Sequence, residues 1–352
     1  MLTHGQILGA LQEAFPQQEG AQPSIRLVGR CLEPALALQT RTASVFVPDL
    51  HLLSHADEAF YARYHFTAGQ DEDLQKALSA LARLRDADPW SLTVYQLGDL
   101  FDFWRSRGGR DAKSEVDEIA ASHPEIVDLL RDRLEAHVLA GNHDYVCHLL
   151  SEWRAARFFL VRGPSGGGDT LVLHGDELDW AEKLAPDAFQ AWAVQQARGV
   201  VAPTQSFDAV DRDAAAAVNR SVAAGDAPIG PGLAVYEDPG VVGDVRDDLS
   251  FLFDLASVSI EDGKTRFFRQ AERLATELEK LGHDVRCVVM GHTHGARIVR
   301  GRRQDGRELV LVDCGAWFGS SRFGAQPKIA SAQLGVIVGN DLRIYQVGAR
   351  EV

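Results

Sequence analysis

Cysteine is scarce in this chain: four among 352 residues, Cys31, Cys147, Cys287 and Cys314, with no CxxC pair. That excludes a thiolate zinc framework and a disulfide-stapled scaffold. Three of the four lie in apolar runs and read as reduced core thiols. Basic residues are outnumbered, 36 Lys and Arg against 50 Asp and Glu, for a formal charge of −14. A chain held on nucleic acid by its overall field is therefore not expected, since phosphate contacts need clustered cations. A small anionic substrate is still allowed, because bound metals reverse the sign locally. No run approaches the roughly 18 apolar residues of a membrane span. The opening MLTHGQILGALQEAF has no basic n-region and no long apolar stretch, so no signal peptide is read and a cytoplasmic location is expected. Walker A, GxSxG and HExxH patterns are all missing, which removes the usual kinases, serine hydrolases and zincins.

What is present is an ordinary globular composition, 45% hydrophobic and 24% charged, long enough for one large domain or a core with an insertion. From Ala43 strands and helices alternate. SVFVP, LTVYQL, VRCVVM, RELVLVDC, ASAQLGVIV and DLRIYQV read as strands, and RFFLVRG with DTLVLHG as a hairpin. Leu74, Leu78, Leu81 and Leu84 line one side of a helix starting near Asp71, and a helix from RFFRQAERLATELEKLG is closed by Gly282. The rhythm breaks between about 178 and 262, in two Ala-rich helical stretches and a Gly/Pro-rich loop. The division expected is an N-terminal extension (1–40), a core (41–177 and 263–352) and an inserted helical lid (178–262).

The chemistry sits in five short blocks: Asp49-Leu50-His51, Gly98-Asp99-Leu100-Phe101-Asp102, Gly141-Asn142-His143-Asp144, His174-Gly175-Asp176 and Gly291-His292-Thr293-His294. Each follows a run of β-branched or aliphatic residues, where a buried strand ends and a loop begins. An open α/β sheet gathers its site there. Asp49 and His51, two apart, share a face on a regular strand. Asp99 has two oxygens with which to bridge two ions, Asn142 offers a neutral carbonyl, and His174, His292 and His294 add imidazoles. This mixed N/O set suits Mn, Fe or Zn, and is neither a structural zinc nor a calcium cage.

Two carboxylates against two divalent ions leave an excess of about +2, or about +1 with a bridging hydroxide. Such a centre attracts phosphate and can clamp the attacking and leaving oxygens of an in-line displacement. The reading is a phosphoester hydrolase in which a metal-bridging hydroxide attacks. His143 is its general acid, and Asp102 holds the other ring nitrogen and keeps the imidazolium protonated. Asp144 is a second candidate for that orienting role, or a turn residue. His55, His65, His123, His137, His148 and His283 fall outside the pattern and read as structural or surface residues.

The ordered set D-x-H, G-D-x-x-D, G-N-H-[DE], a lone His and G-H-x-H resembles the calcineurin-like metallophosphoesterase superfamily, from about residue 43 to the C-terminus. The resemblance implies a two-sheet β-sandwich flanked by helices, of α/β class, holding two divalent ions. Asp49, His51, Asp99 and His294 would hold one ion, and Asp99, Asn142, His174 and His292 the other. GDLFDFW, the HGD block and the insertion before GHTH look most like the UDP-2,3-diacylglucosamine pyrophosphohydrolase group, which cleaves a pyrophosphate with manganese. This chain departs from that group at His143 (Arg there), Asp102 (Glu) and Gly295-Ala296 (Arg-Pro). Protein Ser/Thr phosphatases carry Arg where this chain has Phe103, which ranks that activity low. A non-catalytic scaffold and a nuclease are the competing readings, and a small phosphorylated substrate is the expected partner. Oligomeric state is not legible.

Overall fold

The computed structural model describes residues 2–17, 24–32, 42–60, 68–103, 112–144, 147, 152–153, 155–161, 163, 168–176, 178, 266–293, 296–317 and 332–348. The lid expected over 178–262 lies, beyond Leu178, outside the described residues, as does His294.

Short β-branched and aromatic runs make two sheets. The first has the strand order β1-β11-β10-β2-β3-β4, formed by β1 (Ile25–Leu32), β2 (Ala43–Val47), β3 (Leu92–Gln96), β4 (His137–Val138), β10 (Gln333–Val338) and β11 (Asp341–Val347). The second runs β5-β6-β7-β9-β8, from β5 (Phe158–Val161), β6 (Asp169–Leu173), β7 (Val285–Met290), β8 (Arg297–Arg302) and β9 (Glu308–Asp313). β2, β3 and β4 are parallel, in register from Ala43 opposite Leu92 to Val47 opposite Gln96. β6, β7 and β9 are parallel in the second sheet, so the central strands of each sheet end on one side. β5 and β6 pair antiparallel, as the hairpin reading expected.

The period-2 alternation of the strands divides the core into layers. Phe46, Tyr95 and Leu97 turn toward the second sheet, against Val172, Val289, Val310 and Val312. The Phe46 and Tyr95 rings stack at 5.3 Å. Val45, Val47 and Val94 turn the other way, onto Leu74, Leu78 and Leu81 of α3 (Ala68–Ala87) and Ile126 of α5 (Pro124–Asp128). α1 (His4–Ala14), α2 (His55–Phe60) and α4 (Ala112–Ser122) precede α5 among the described helices. α6 (Arg266–Lys280) lays Phe268, Ala271, Leu274, Ala275 and Leu278 on the outer face of the second sheet. Gly282, at φ 92°, closes that helix as expected. Full burial of a Val, Leu or Phe side chain stabilises by roughly 1.5–3 kcal/mol. Phe46→Ala, in the seam between sheets, would cost about 3–5 kcal/mol.

Two strands, β1 and β8, are not read from the sequence. β1 and β8 are edge strands whose exposed, Arg-bearing positions blur the apolar pattern. Residues 1–40 supply α1 and β1, and β1 pairs along β11. Past α5 the helix widens at Leu129–Arg133 into a π turn, and AHVLA contributes only two residues to the ladder.

Candidate metal centre

All five sequence blocks lie just past the carboxyl ends of strands: β2, β3 and β4 of the first sheet, β6 and β7 of the second. The backbone turns sharply there. His51, Asp99 and His292 have positive φ values of 50°, 49° and 70°. A non-glycine residue rarely adopts this left-handed region, and holding it costs on the order of 1–3 kcal/mol unless the surroundings fix it. They do. The amides of Leu50 and His51 both donate to the carbonyl of Asp99, at 3.0 and 2.8 Å. The His292 amide donates to the Asp49 carboxylate at 2.9 Å, and the His143 amide to Asp99 Oδ1 at 2.8 Å.

These turns bring the side chains together. Asp99 Oδ2 lies 3.4 Å from His51 Nε2 and 3.3 Å from His174 Nε2. His174 Nε2 is 3.1 Å from Asn142 Oδ1, and its Nδ1 is 3.7 Å from Asp49 Oδ1. The His174 and His292 rings meet edge to face at 5.0 Å. Asp49, His51, Asp99 and His174 are buried, whereas Asn142, His143 and His292 are half-buried. Six of the seven proposed ligands are thus assembled, and the seventh, His294, lies outside the described residues. Asp102 faces two imidazoles, 2.9 Å from His143 Nδ1 and 3.3 Å from His51 Nδ1.

The donors suit cations. Asp49, Asp99 and His174 can put one ligand atom each within 4.8 Å of the others, and so can His51, Asp99 and His143; Asp99 is common to both sets. Space is reserved for the carboxylates as well. A Cβ built on Gly141 would strike the Asp99 carboxylate and come within 2.6 Å of its amide nitrogen, and one on Gly291 would strike the Asp49 carboxylate. Glycine is required at both positions by close approach.

Burial raises the cost of charge on Asp99, but His174, His143 and His51 outweigh it and hold its carboxyl well below the usual range. Burial also opposes charge on His174, yet Asp99 and Asp49 raise its imidazole well above an ordinary one. For His143 burial prevails over Asp102 and Asp99, so its pKa falls. Asp102 itself acts toward the protonated imidazole, and burial acts against it.

The supporting residues carry little signal in the sequence. Asp144 accepts the amides of Gly141 (2.7 Å), Leu100 (2.7 Å) and Phe101 (3.2 Å), so it serves the turn rather than orienting His143. Burial and Asp99 push its carboxyl up to about 7. Arg157 donates to the Ala140 carbonyl at 2.6 Å and to Asp176 at 2.6 Å, linking the Asn142 and His174 loops. Thr293 donates its hydroxyl to Asp313. Asp144 takes the turn role that is one of its two readings from the sequence; Asp176 sits inside a motif block and could have been found, whereas Arg157 and Asp313 had no local signal.

Residues 44–211 match the family model of the calcineurin-like phosphoesterases. The matched stretch spans a little under half of the chain. Phosphoesterases of this family usually bind divalent metals and hydrolyse phosphoesters. The match takes in Asp49, His51, Asp99, Asn142, His143 and His174, whereas His292 and the strands that follow it lie beyond it. No curated protein matches the chain.

Proposed function

We propose that the chain is a dinuclear metal-dependent phosphohydrolase that cleaves a phosphoester or pyrophosphate of a small molecule. The observation that carries this reading is Asp99, buried and placed between His51 and His174, 3.4 and 3.3 Å from its Oδ2, one from each proposed ion site. Asp49, His51, Asp99 and His294 would hold one ion, and Asp99, Asn142, His174 and His292 the other. Manganese is favoured by the likeness to the pyrophosphohydrolase group, and iron or zinc also fits an N/O set. When bound, a pair of divalent ions supplies Lewis acidity and an activated water at neutral pH.

The chain's own residues do the rest. With Nδ1 committed to Asp102 at 2.9 Å, His143 carries the transferable proton on Nε2 and delivers it to the leaving oxygen. Asp102 orients His143 and His51 together, one carboxylate oxygen to each. The −14 charge favours small phosphorylated substrates over nucleic acid and fits a cytoplasmic enzyme. No helix among the described residues is long and apolar enough to cross a membrane.

The test is hydrolysis of bis-p-nitrophenyl phosphate and p-nitrophenyl phosphate by metal-stripped protein, with Mn, Fe, Zn and Mg restored separately. Metal-dependent turnover, strongest with Mn, is expected. Two ions bound per chain with no turnover on any phosphoester or pyrophosphate would favour a scaffold.

A further inference from the structure

Away from the shared carboxylate of Asp99, three side chains outside the motif blocks converge. His55 and Glu58 are three apart on α2, so they project from one side of a single turn. His123 stands just before Pro124, at the start of α5. One ligand atom from each of the three can lie within 4.8 Å of the others. His123 Nε2 is 3.3 Å from Glu58 Oε1, and the His55 and His123 rings meet edge to face at 5.3 Å. Two donors of a tetrahedral ion with bonds of about 2.0–2.1 Å stand about 3.3 Å apart, so that first spacing is the one an ion would impose.

A second observation concerns the far side of the His123 ring. Its Nδ1 lies 3.0 Å from Asp71 Oδ1. A carboxylate on one ring nitrogen, with the other nitrogen turned toward further donors, is the arrangement that fixes the tautomer of a metal-binding imidazole and raises its basicity. The Leu53 carbonyl, 2.8 Å from Nε2, adds a neutral oxygen.

We propose that His55, Glu58 and His123 form a separate site for one divalent transition-metal ion of zinc type, with Asp71 orienting His123. Two imidazoles and one carboxylate suit zinc or cobalt better than calcium or magnesium, and leave a coordination position for water. His55 is exposed, so the ion enters from solvent, while His123 is buried. Without an ion, a proton on His123 takes its place. Burial opposes that charge, but Asp71 and Glu58 raise the imidazole to about 10. The imidazolium then has an N–H for Asp71 and another for Leu53 and Glu58. Ion binding displaces the Nε2 proton to solvent, forms the Nε2–metal bond and keeps the N–H on the Asp71 side. Leu53 follows His51 by two residues, so the site also restrains the loop that carries His51.

The test counts zinc bound per whole chain after equilibrium dialysis, in the wild type, His55→Ala and Glu58→Gln. Each variant is expected to bind one ion fewer than the wild type, with a cooperative thermal melt in chelator showing that it is folded. The cobalt-loaded variants should lack one component of the wild-type visible spectrum. Any ions at the Asp99 centre are common to all three proteins and cancel in the difference, so failure of the dinuclear reading is seen separately, in the total. Equal counts in the wild type and both variants overturn the proposal.

Discussion

Arg157 and Asp176 pair at 2.6 Å, both about 5% exposed in their side chains, and the same guanidinium donates to the carbonyls of Ala140 and Gly141. One cation therefore ties the loop that carries Asn142 to the loop that follows His174. Removing one partner leaves the other charge buried, which costs about 3–5 kcal/mol. Asp176→Asn should lower the urea midpoint accordingly. The double variant Arg157→Met/Asp176→Leu should recover most of the stability. It should not recover turnover, because nothing then holds the Ala140 and Gly141 carbonyls.

The His143–Asp102 contact separates proton delivery from ion binding. His143→Ala should lower turnover of esters with poor leaving groups by about 100- to 10,000-fold. It should cost much less with p-nitrophenyl esters, whose leaving group needs no proton. Asp102→Asn should fall between these and also weaken metal retention, since Asp102 faces His51 as well. Kinetics on paired alkyl and p-nitrophenyl esters, with bound metal counted, check both.

Gly141 and Gly291 leave room for the carboxylates of Asp99 and Asp49. Gly141→Ala presses on the Asp99 amide as well as its carboxylate, and backbone cannot swing away like a side-chain tip. It should reduce turnover at least tenfold and stability by about 1–3 kcal/mol. Gly291→Ala should act in the same direction. Metal titration of the two variants should show weakened binding; undiminished affinity would mean that the carboxylates move without loss.

His123 sets a pH dependence in the chelated protein. It is faced by Asp71 of α3, by Glu58 and His55 of α2, and by the Leu53 carbonyl. Its folded pKa of about 10 lies above the ordinary value of 6.5, so the native state holds the extra proton between them. The stabilisation is complete below about 6.5 and is lost as pH rises through about 10, at about 1 kcal/mol per unit. The stability gap between wild type and His123→Gln, measured by urea denaturation with chelator present, should narrow from pH 7 to 9.5. A constant gap would mean that His123 carries no proton.

The central strands and the motif blocks are readable because each depends on local pattern: an apolar run of five or six residues, then a polar ligand in the turn. β2, β3, β6 and β7 have that contrast, and β9, β10 and β11 have the apolar run alone. β1 and β8 do not, because an edge strand with solvent on one side needs no continuous apolar run. The same limit applies to the site. Asp49, Asp99 and His174 announce themselves through spacing, whereas Arg157 acts through backbone carbonyls sixteen and seventeen residues away. His55 and His123 do not stand out, because nothing in their neighbourhoods shows that α2 and α5 place them side by side. The depressed His143 pKa is also out of reach, since burial is a tertiary quantity.

The centre straddles a seam. Asp49, His51, Asp99 and Asn142 hang from one sheet, His174 and His292 from the other, and the facing layers between them are held by aliphatic and aromatic contacts. Ions held by those residues would act across that seam as rivets. They would resist shear between the two halves of the sandwich, a motion to which greasy, non-directional packing yields more readily than coordination bonds do. A loaded molecule should therefore come apart more slowly than a stripped one under a pulling force or a protease, over and above any gain in equilibrium stability.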